Sequence, residues 1–526
     1  MLACSYVSAC LYALGAATFA HLAESATNRI WVYPVQTSIH TKSQQYSVEA
    51  NNYAAPTWKY EAPYGFSHFT MANGPVDVRV FKINNKPVSG WSISPRKLKI
   101  QASIDRNCIK FQLQRAEYLI LTLDNLPELI LLADPVVTGG YPDVKAASTI
   151  NVQSLGADPS GSHYSTAAIQ TAIYHASDVN GGGTVYIPPG VYLTGNIVFK
   201  SNDWLYIEGG AVLRYTGDRS IYKTWWYKWG VPHTFWISTA YDSSNITITG
   251  HGMFDGNGKA VYTDSTHKIA CTILAPIKTT NFRFEGPIIR ESSFWSTTVF
   301  LSRQVLSENL KVLNRMDIGE DDGIDIVQSS NVVVRNALAA SWDDPFSTKT
   351  YGPGKPVINT GQGNVFEAIP GPPQPLRNVL FERTVSWTGC FGLKVGQGSQ
   401  SEQVNVTFRD AVVYDCSQAI GIHHRWGAKP YKSITFANVE VEKVSSIVDG
   451  RRTWLMLKME DAGAGVAPFS NVVVRNVTVY DAGKTPAVVM GWNRSVIAGD
   501  VLLDSIYSKS LKRQARTLEE MGYRTR

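Results

Sequence analysis

A chain of 526 residues is too long for one ordinary globular domain. Only 17% of it is charged, while it carries 42 Gly, 25 Tyr and 14 Trp, a balance that excludes a helical bundle or a disordered chain and favours turn-rich β structure. The formal net charge of +6 is mild and spread out, which argues against a nucleic-acid surface and permits an anionic substrate without implying one.

The N-terminal stretch through Leu2, Leu11, Leu14 and Phe19 is apolar and ends in small residues, as in a signal peptide over residues 1–23 cut after Ala20 or Ala23. No Lys or Arg precedes it. Sequons at Asn245, Asn405, Asn476 and Asn493 suit a secreted glycoprotein. No later segment is long and apolar enough to span a membrane. With Cys4 and Cys10 removed, Cys108, Cys271, Cys390 and Cys416 remain. They allow three full pairings or none, and their spacing is not that of metal ligands, so neither metal nor cofactor is expected.

Residues 28–135 alternate apolar and polar in short runs such as Val76 to Phe81 and Cys108 to Leu113, broken by turns. That pattern predicts an antiparallel β-sandwich, without a cluster of His, Cys or acids and with a structural or cleft-flanking role. Val136 to Ala147, holding Gly139, Gly140 and Pro142, reads as a linker. One helix is expected at Thr166 to Ala176, with the apolar stripe Ala167, Ile169, Ala172, Ile173 and Ala176. Gly181 to Gly183 lacks the Lys-Ser/Thr of a phosphate loop and reads as a tight turn.

One pattern then recurs: a polar residue, usually Asn, followed by alternating apolar residues. Its starts are Asn245, Asn281, Asn309, Asn331, Asn378, Asn405, Ser433 and Asn471, spaced 36, 28, 22, 47, 27, 28 and 38 residues apart. A unit of about 22 residues with the excess in loops predicts an all-β right-handed parallel β-helix over residues 148–505, capped by the early helix and followed by a polar tail, 506–526. The longest gap follows Asp343-Asp344 and is rich in Gly and Pro, the composition of a cleft wall.

Asp322 precedes Asp343 by 21 residues and Asp344 by 22, about one coil, so the two acidic groups should lie on neighbouring rungs, about 4.8 Å apart. Aligning coils predicts an outward column of Asp325, Ser347, Lys394 and His423, with Lys349 and Arg425 two residues further along theirs. His424 points inward as a core histidine. Trp225, Trp226, Tyr227, Trp229 and Trp236 form an aromatic group that either stacks on sugar rings or packs a loop. Acids beside cations on one face suit glycosidic hydrolysis, in which one carboxylic acid protonates the leaving oxygen and another carboxylate activates water. Crowding of like charges keeps one acid protonated closer to neutral pH.

Asp-Gly-Ile-Asp-Ile from Asp322 and the following Asp343-Asp344 resemble the paired acidic motifs of family 28 glycoside hydrolases, the polygalacturonases and their relatives. Gly183 to Tyr192, Gly250 to Gly258 and Ser293-Phe-Trp295 extend the resemblance across about Ile150 to Trp492. It implies inverting hydrolysis of α-linked pectin-type polysaccharide, with Asp343 as general acid and Asp322 and Asp344 as base partners. Asp325, Lys349, Lys394, His423, Arg425 and Trp295 are then the candidate substrate-binding residues. The sequence departs from the family where its site His is Phe391, where its Arg-Ile-Lys is His423-His-Arg425, and where its Asn-Thr is Glu320-Asp321. Family 49, the dextranases and isopullulanase, is similar in plan, a β-sandwich ahead of a β-helix with three Asp, and keeps an α-glucan substrate open. A polysaccharide lyase and a non-catalytic glycan binder are the alternatives. The expected partner is a polysaccharide met by a secreted monomer, with no nucleic acid and no membrane.

Overall fold

A computed structural model of the chain describes residues 30–509 except 61, 62, 73, 265, 352–364, 370, 449, 494, 495 and 497, together with the backbone of 513–515. The predicted signal peptide and most of the Gly/Pro-rich segment after Tyr351 lie outside the described residues.

The N-terminal unit is a sandwich of a five-stranded and a seven-stranded sheet. In Val76–Lys82 the residues Val76, Val78 and Val80 are buried while Asp77 is exposed, so alternation alone sets the inward face. Val48, Phe69, Val78, Ile109, Leu121 and Leu131 meet between the sheets. One pairing departs from the antiparallel expectation: Gly65–Met71 runs parallel to Leu129–Pro135. Both strands lie mid-sheet and are buried on both faces, because the outer face of their sheet, with Tyr64, Phe66, Ile120 and Leu132, packs on Met253, Ile288 and Leu313 of the second unit. Strands covered on both sides lose the alternation that marks an exposed face.

The second unit is a right-handed parallel β-helix. Two of its ladders share a 20-stranded sheet, merging where long strands such as Ser330–Ser341 and Leu376–Thr388 run through a corner, and the third face is an 11-stranded sheet. Helix Thr166–Asp178 closes the first coils, burying Ala168, Ile169, Ala172, Ile173 and Ala176; Ala168 replaces the predicted Ala167, which is exposed.

The recurring polar residue is a corner. Asn245, Asn281, Asn331, Asn378, Asn405 and Asn471 all have φ between 52° and 59°. A left-handed residue costs an ordinary side chain about 1–2 kcal/mol, and Asn tolerates it best after Gly. Corner amides also bond to one another: Asn378 Nδ2 donates to Asn331 Oδ1 at 2.9 Å, and Asn405 Nδ2 to Asn378 Oδ1 at 2.8 Å. Inside the coils Phe381, Phe408 and Phe436 stack face to face, with centroids 4.5 and 5.2 Å apart.

The predicted register needs one correction here. Phe282 pairs with Val305 and Val305 with Val332, so Gln304, at φ 57°, is the corner between Asn281 and Asn331. Asn309 belongs to a second corner ladder, where its Oδ1 accepts from Asn336 Nδ2. The 28 and 22 residue spacings mixed the two ladders; the coils are 23 and 27 residues long. The solenoid also continues past residue 505: Val501–Ser508 pairs along Phe469–Val479, and Ile506 is buried against the core. The predicted polar tail therefore begins inside a strand, placed there by Ile506 alone among polar neighbours. Cys108, Cys271, Cys390 and Cys416 are free thiols.

Candidate active site

The acids converge where the second face turns into the third. Ile324 pairs with Phe346 and Asp325 with Ser347, which sets Asp322 beside Asp344 in the turns two residues ahead of these adjacent strands, as the coil spacing predicts. The turn is tied together by its own polar groups. Asp343 N donates to Asp321 Oδ1 at 2.9 Å, Asp344 N to Asp343 Oδ1 at 2.9 Å, and Gly323 N to Asp344 O at 2.9 Å. Asn314 Nδ2 holds the Asp321 carbonyl at 2.6 Å, and the hydroxyl of Tyr64, from the sandwich, donates to the Asn314 carbonyl at 2.6 Å. The N-terminal unit thus buttresses the acidic turn from behind.

Two lysines reach into the cluster. Lys349 Nζ contacts Asp322 Oδ2 at 2.5 Å and also Asp325 Oδ1, while Lys394 Nζ contacts Asp344 Oδ2 at 2.5 Å. Aromatic rings lie against both: Trp295 is 4.4 Å from Lys349 Nζ and Phe391 is 4.6 Å from Lys394 Nζ. Phe391 therefore packs against an ammonium at the position where the motif comparison expects histidine. All these residues are buried except Asp343, which is partly exposed.

Burial and repulsion from Asp325 push the Asp322 carboxyl well above the usual range, against the pull of Lys349. Burial likewise raises Asp325 and Asp321. Asp344 is pushed up to about 6 by burial, with Lys394 opposing. Both ammonium groups are held in their charged form by the carboxylates around them, which outweigh burial. Oδ2 of Asp321, Oδ2 of Asp325 and Oδ1 of Asp344 are buried without a protein hydrogen-bond partner.

The predicted outward column is altered in two respects. It is enclosed: Asp325 is 0% exposed beneath Lys349 and Ser347, so it positions Lys349 and cannot itself meet a substrate. Its far end is also out of register by two residues, because Lys394 pairs with Gly421 and His423 with Gly396. His423 instead joins a second charged group, with Nε2 3.3 Å from Glu460 Oε2, where Arg425 Nε (3.2 Å) and Lys458 Nζ (2.5 Å) also converge on Glu460. Burial lowers His423 to about 4. Glu460 and Lys458 were missed by the motif comparison, although Lys458 pairs with His423 on the next strand and could have been reached by extending the column one coil. His424 faces inward, its Nε2 donating to the Lys429 carbonyl at 2.8 Å. Trp226 and Trp236 pack in the interior, whereas Tyr227 and Trp229 stay exposed.

Among the described residues, two groups could hold a cation by geometry: Asp343, Asp344 and Cys390 in the site, and His68, Asp134 and His251 at the seam between the units. In each, a lysine already neutralises the central carboxylate, Lys394 on Asp344 and Lys311 on Asp134.

The sequence profile described as Glycosyl hydrolases family 28 matches residues 182–510, and that of Rhamnogalacturonase A/epimerase, pectate lyase-like, matches 149–209. An exopolygalacturonase of Zea mays is 29% identical over 230 residues, which are 41% of this chain and 53% of that protein. Exopolygalacturonase A of Aspergillus niger is 26% identical over 256 residues, 46% of this chain and 52% of that protein. The chain thus spans about half the length of the relatives it matches. Among solved structures, the polygalacturonase from Erwinia carotovora superposes with a TM-score of 0.54 at 16% identity, covering 74% of this chain and 99% of that one.

Proposed function

Because the chain belongs to glycosyl hydrolases family 28, we propose that it is a polygalacturonase-like enzyme that hydrolyses α-glycosidic bonds of a pectin-type polysaccharide with inversion. The observation that carries this reading is the register that sets Asp322 beside Asp344 while leaving Asp343 the most exposed acid of the cluster. Asp343 is the group positioned to meet a leaving oxygen and give it a proton. Asp344, ionised above about pH 6, draws the proton from the attacking water, with Asp322 as its partner across the strands. The similarity to exopolygalacturonases supports a chain-end mode of attack.

A β-eliminating lyase would need a neutral basic side chain to take a proton, and the lysines of the site, Lys349 and Lys394, are held as ammonium ions. The products distinguish the reactions. Incubation with polygalacturonate should release reducing ends without an ultraviolet-absorbing unsaturated product, and proton NMR of the first turnovers should show the anomer opposite to the substrate linkage. An unsaturated product, or retention of configuration, would overturn the assignment. The apolar N-terminal stretch and the extracellular occurrence of pectin support export, which N-terminal sequencing of protein recovered from culture medium would test.

A further inference from the structure

The hairpin Trp226–Lys228 to Val231–Thr239 turns through only Trp229 and Gly230, since Lys228 pairs with Val231. Both turn residues have positive φ, 50° and 79°. Two-residue hairpins of this kind normally carry Asn-Gly or Asp-Gly, because a bulky side chain is strained in the left-handed region. Here the strained position holds tryptophan, and its side chain is not used to fill the interior: Trp229 is 56% exposed. Strain kept at an exposed aromatic points to a use outside the fold.

The ring is held in place. Lys228 Nζ lies 4.5 Å from its centroid, covering one face, and the same ammonium is 2.5 Å from Glu320 Oε2. Glu320 immediately precedes Asp321 and Asp322. Beneath the tip, Trp226 stacks on His233, His233 meets Phe294 edge-on, and Phe294 stacks on Trp295, the ring next to Lys349. The hairpin is thus fastened to the acidic turn by an ion pair above and an aromatic row below.

A second exposed tryptophan, Trp342, 38% accessible, directly precedes Asp343. Its ring lies flat on Gly389, where a β-carbon would come within 2.7 Å of the ring. In the order of the third sheet, the strand that carries the hairpin comes before the two strands that follow the acids, and the strand after Gly389 comes after them. Trp229 and Trp342 therefore bracket the acids along the solenoid axis.

We infer that Trp229 and Trp342 are sugar-stacking platforms that bound the substrate cleft, each taking one pyranose ring of the chain on either side of the bond to be cut. The inference rests on the proposed glycan hydrolysis and narrows it. A galacto-configured pyranose, whose axial O4 leaves C3–H, C4–H and C5–H together on one face, is the ring that fits a bare indole face. Its polar groups then turn towards the charged groups beside the platforms.

The test uses W229N and W342A in the full chain. Asparagine suits the left-handed turn, so W229N should keep or raise Tm while KM for galacturonan oligomers rises about tenfold, more than kcat falls. W342A should raise KM similarly, and G389A, which displaces the same ring, should reproduce it. In a D343N background, calorimetry with oligogalacturonides of increasing length should show each platform variant losing the affinity gained from one sugar. KM and Kd within twofold of the parent for both variants would overturn the inference, as would a fall in Tm for W229N that accounts for its KM. If the parent enzyme cleaves no polysaccharide but D343N binds oligogalacturonides and W229N does not, the platforms stand and the proposed hydrolysis falls.

Discussion

Asp134 at the seam between sandwich and solenoid, and Asp344 in the candidate active site, are both buried, and each has a lysine ammonium 2.5 Å from one carboxylate oxygen. Their surroundings differ in how many lone pairs are used. Asp134 Oδ2 also contacts His68 Nε2 at 2.7 Å and His251 Nδ1 at 3.3 Å, and its Oδ1 accepts from the Tyr118 hydroxyl at 2.6 Å. Burial alone would raise this carboxyl, but Lys311 and the two imidazoles hold it well below the usual range. Asp344 keeps an oxygen with no protein partner and titrates near 6. A buried acid with both oxygens engaged is locked in one charge state and serves as a rivet; one with a free oxygen can pass a proton.

This contrast can be broken by substitution, and the largest effect should separate the clusters outright. D343N should lower kcat by about 10²–10⁴-fold with Tm unchanged, whereas D134A, which strands the buried Lys311, should cost about 3–5 kcal/mol in urea unfolding while the folded fraction keeps its turnover. Loss of stability in D343N, or loss of turnover in folded D134A, would erase the distinction. A subtler change sharpens it. Asp344, the proposed base, is protonated below about pH 6, so kcat/KM should fall on acidification through that value. In K394M the main opposing ammonium is gone, only Lys349 still works against burial, and the acid limb should move to higher pH; an unmoved limb would show that another group titrates. The smallest effect is expected outside both clusters. N378G keeps the left-handed corner but drops the amide bonds to Asn331 and Asn405, and should cost about 0.5–1.5 kcal/mol with no effect on the pH profile.

The fold was legible because each coil repeats a steric demand, a left-handed corner, that few residue types meet, and Asn writes it plainly. Gln304 meets the same demand without looking like it, and for that reason the register slipped there. The neighbouring-rung placement of Asp322 and Asp344 could be read from spacing, since parallel register preserves coil length. What could not be read was enclosure. Alternation says which way a side chain leaves the strand, but not what covers it, so Asp325 looked like a surface residue and proves to be buried under Lys349. Glu460 and Lys458 were hidden because they come from the coil after His423 and Arg425 and lie in no motif.

The corner ladder carries a consequence for how such a chain can change length. From Asn245 on, the spacings between successive corners run from 23 to 47 residues, yet the strands on either side of the longest remain in step, Val332 against Val379 and Val379 against Val406. Each left-handed amide acts as a punctuation mark that restarts the count, so an error or insertion upstream is not carried into the next line. Segments can therefore be spliced in between corners, and the rungs that carry the acids would stay aligned while the walls around them are rewritten.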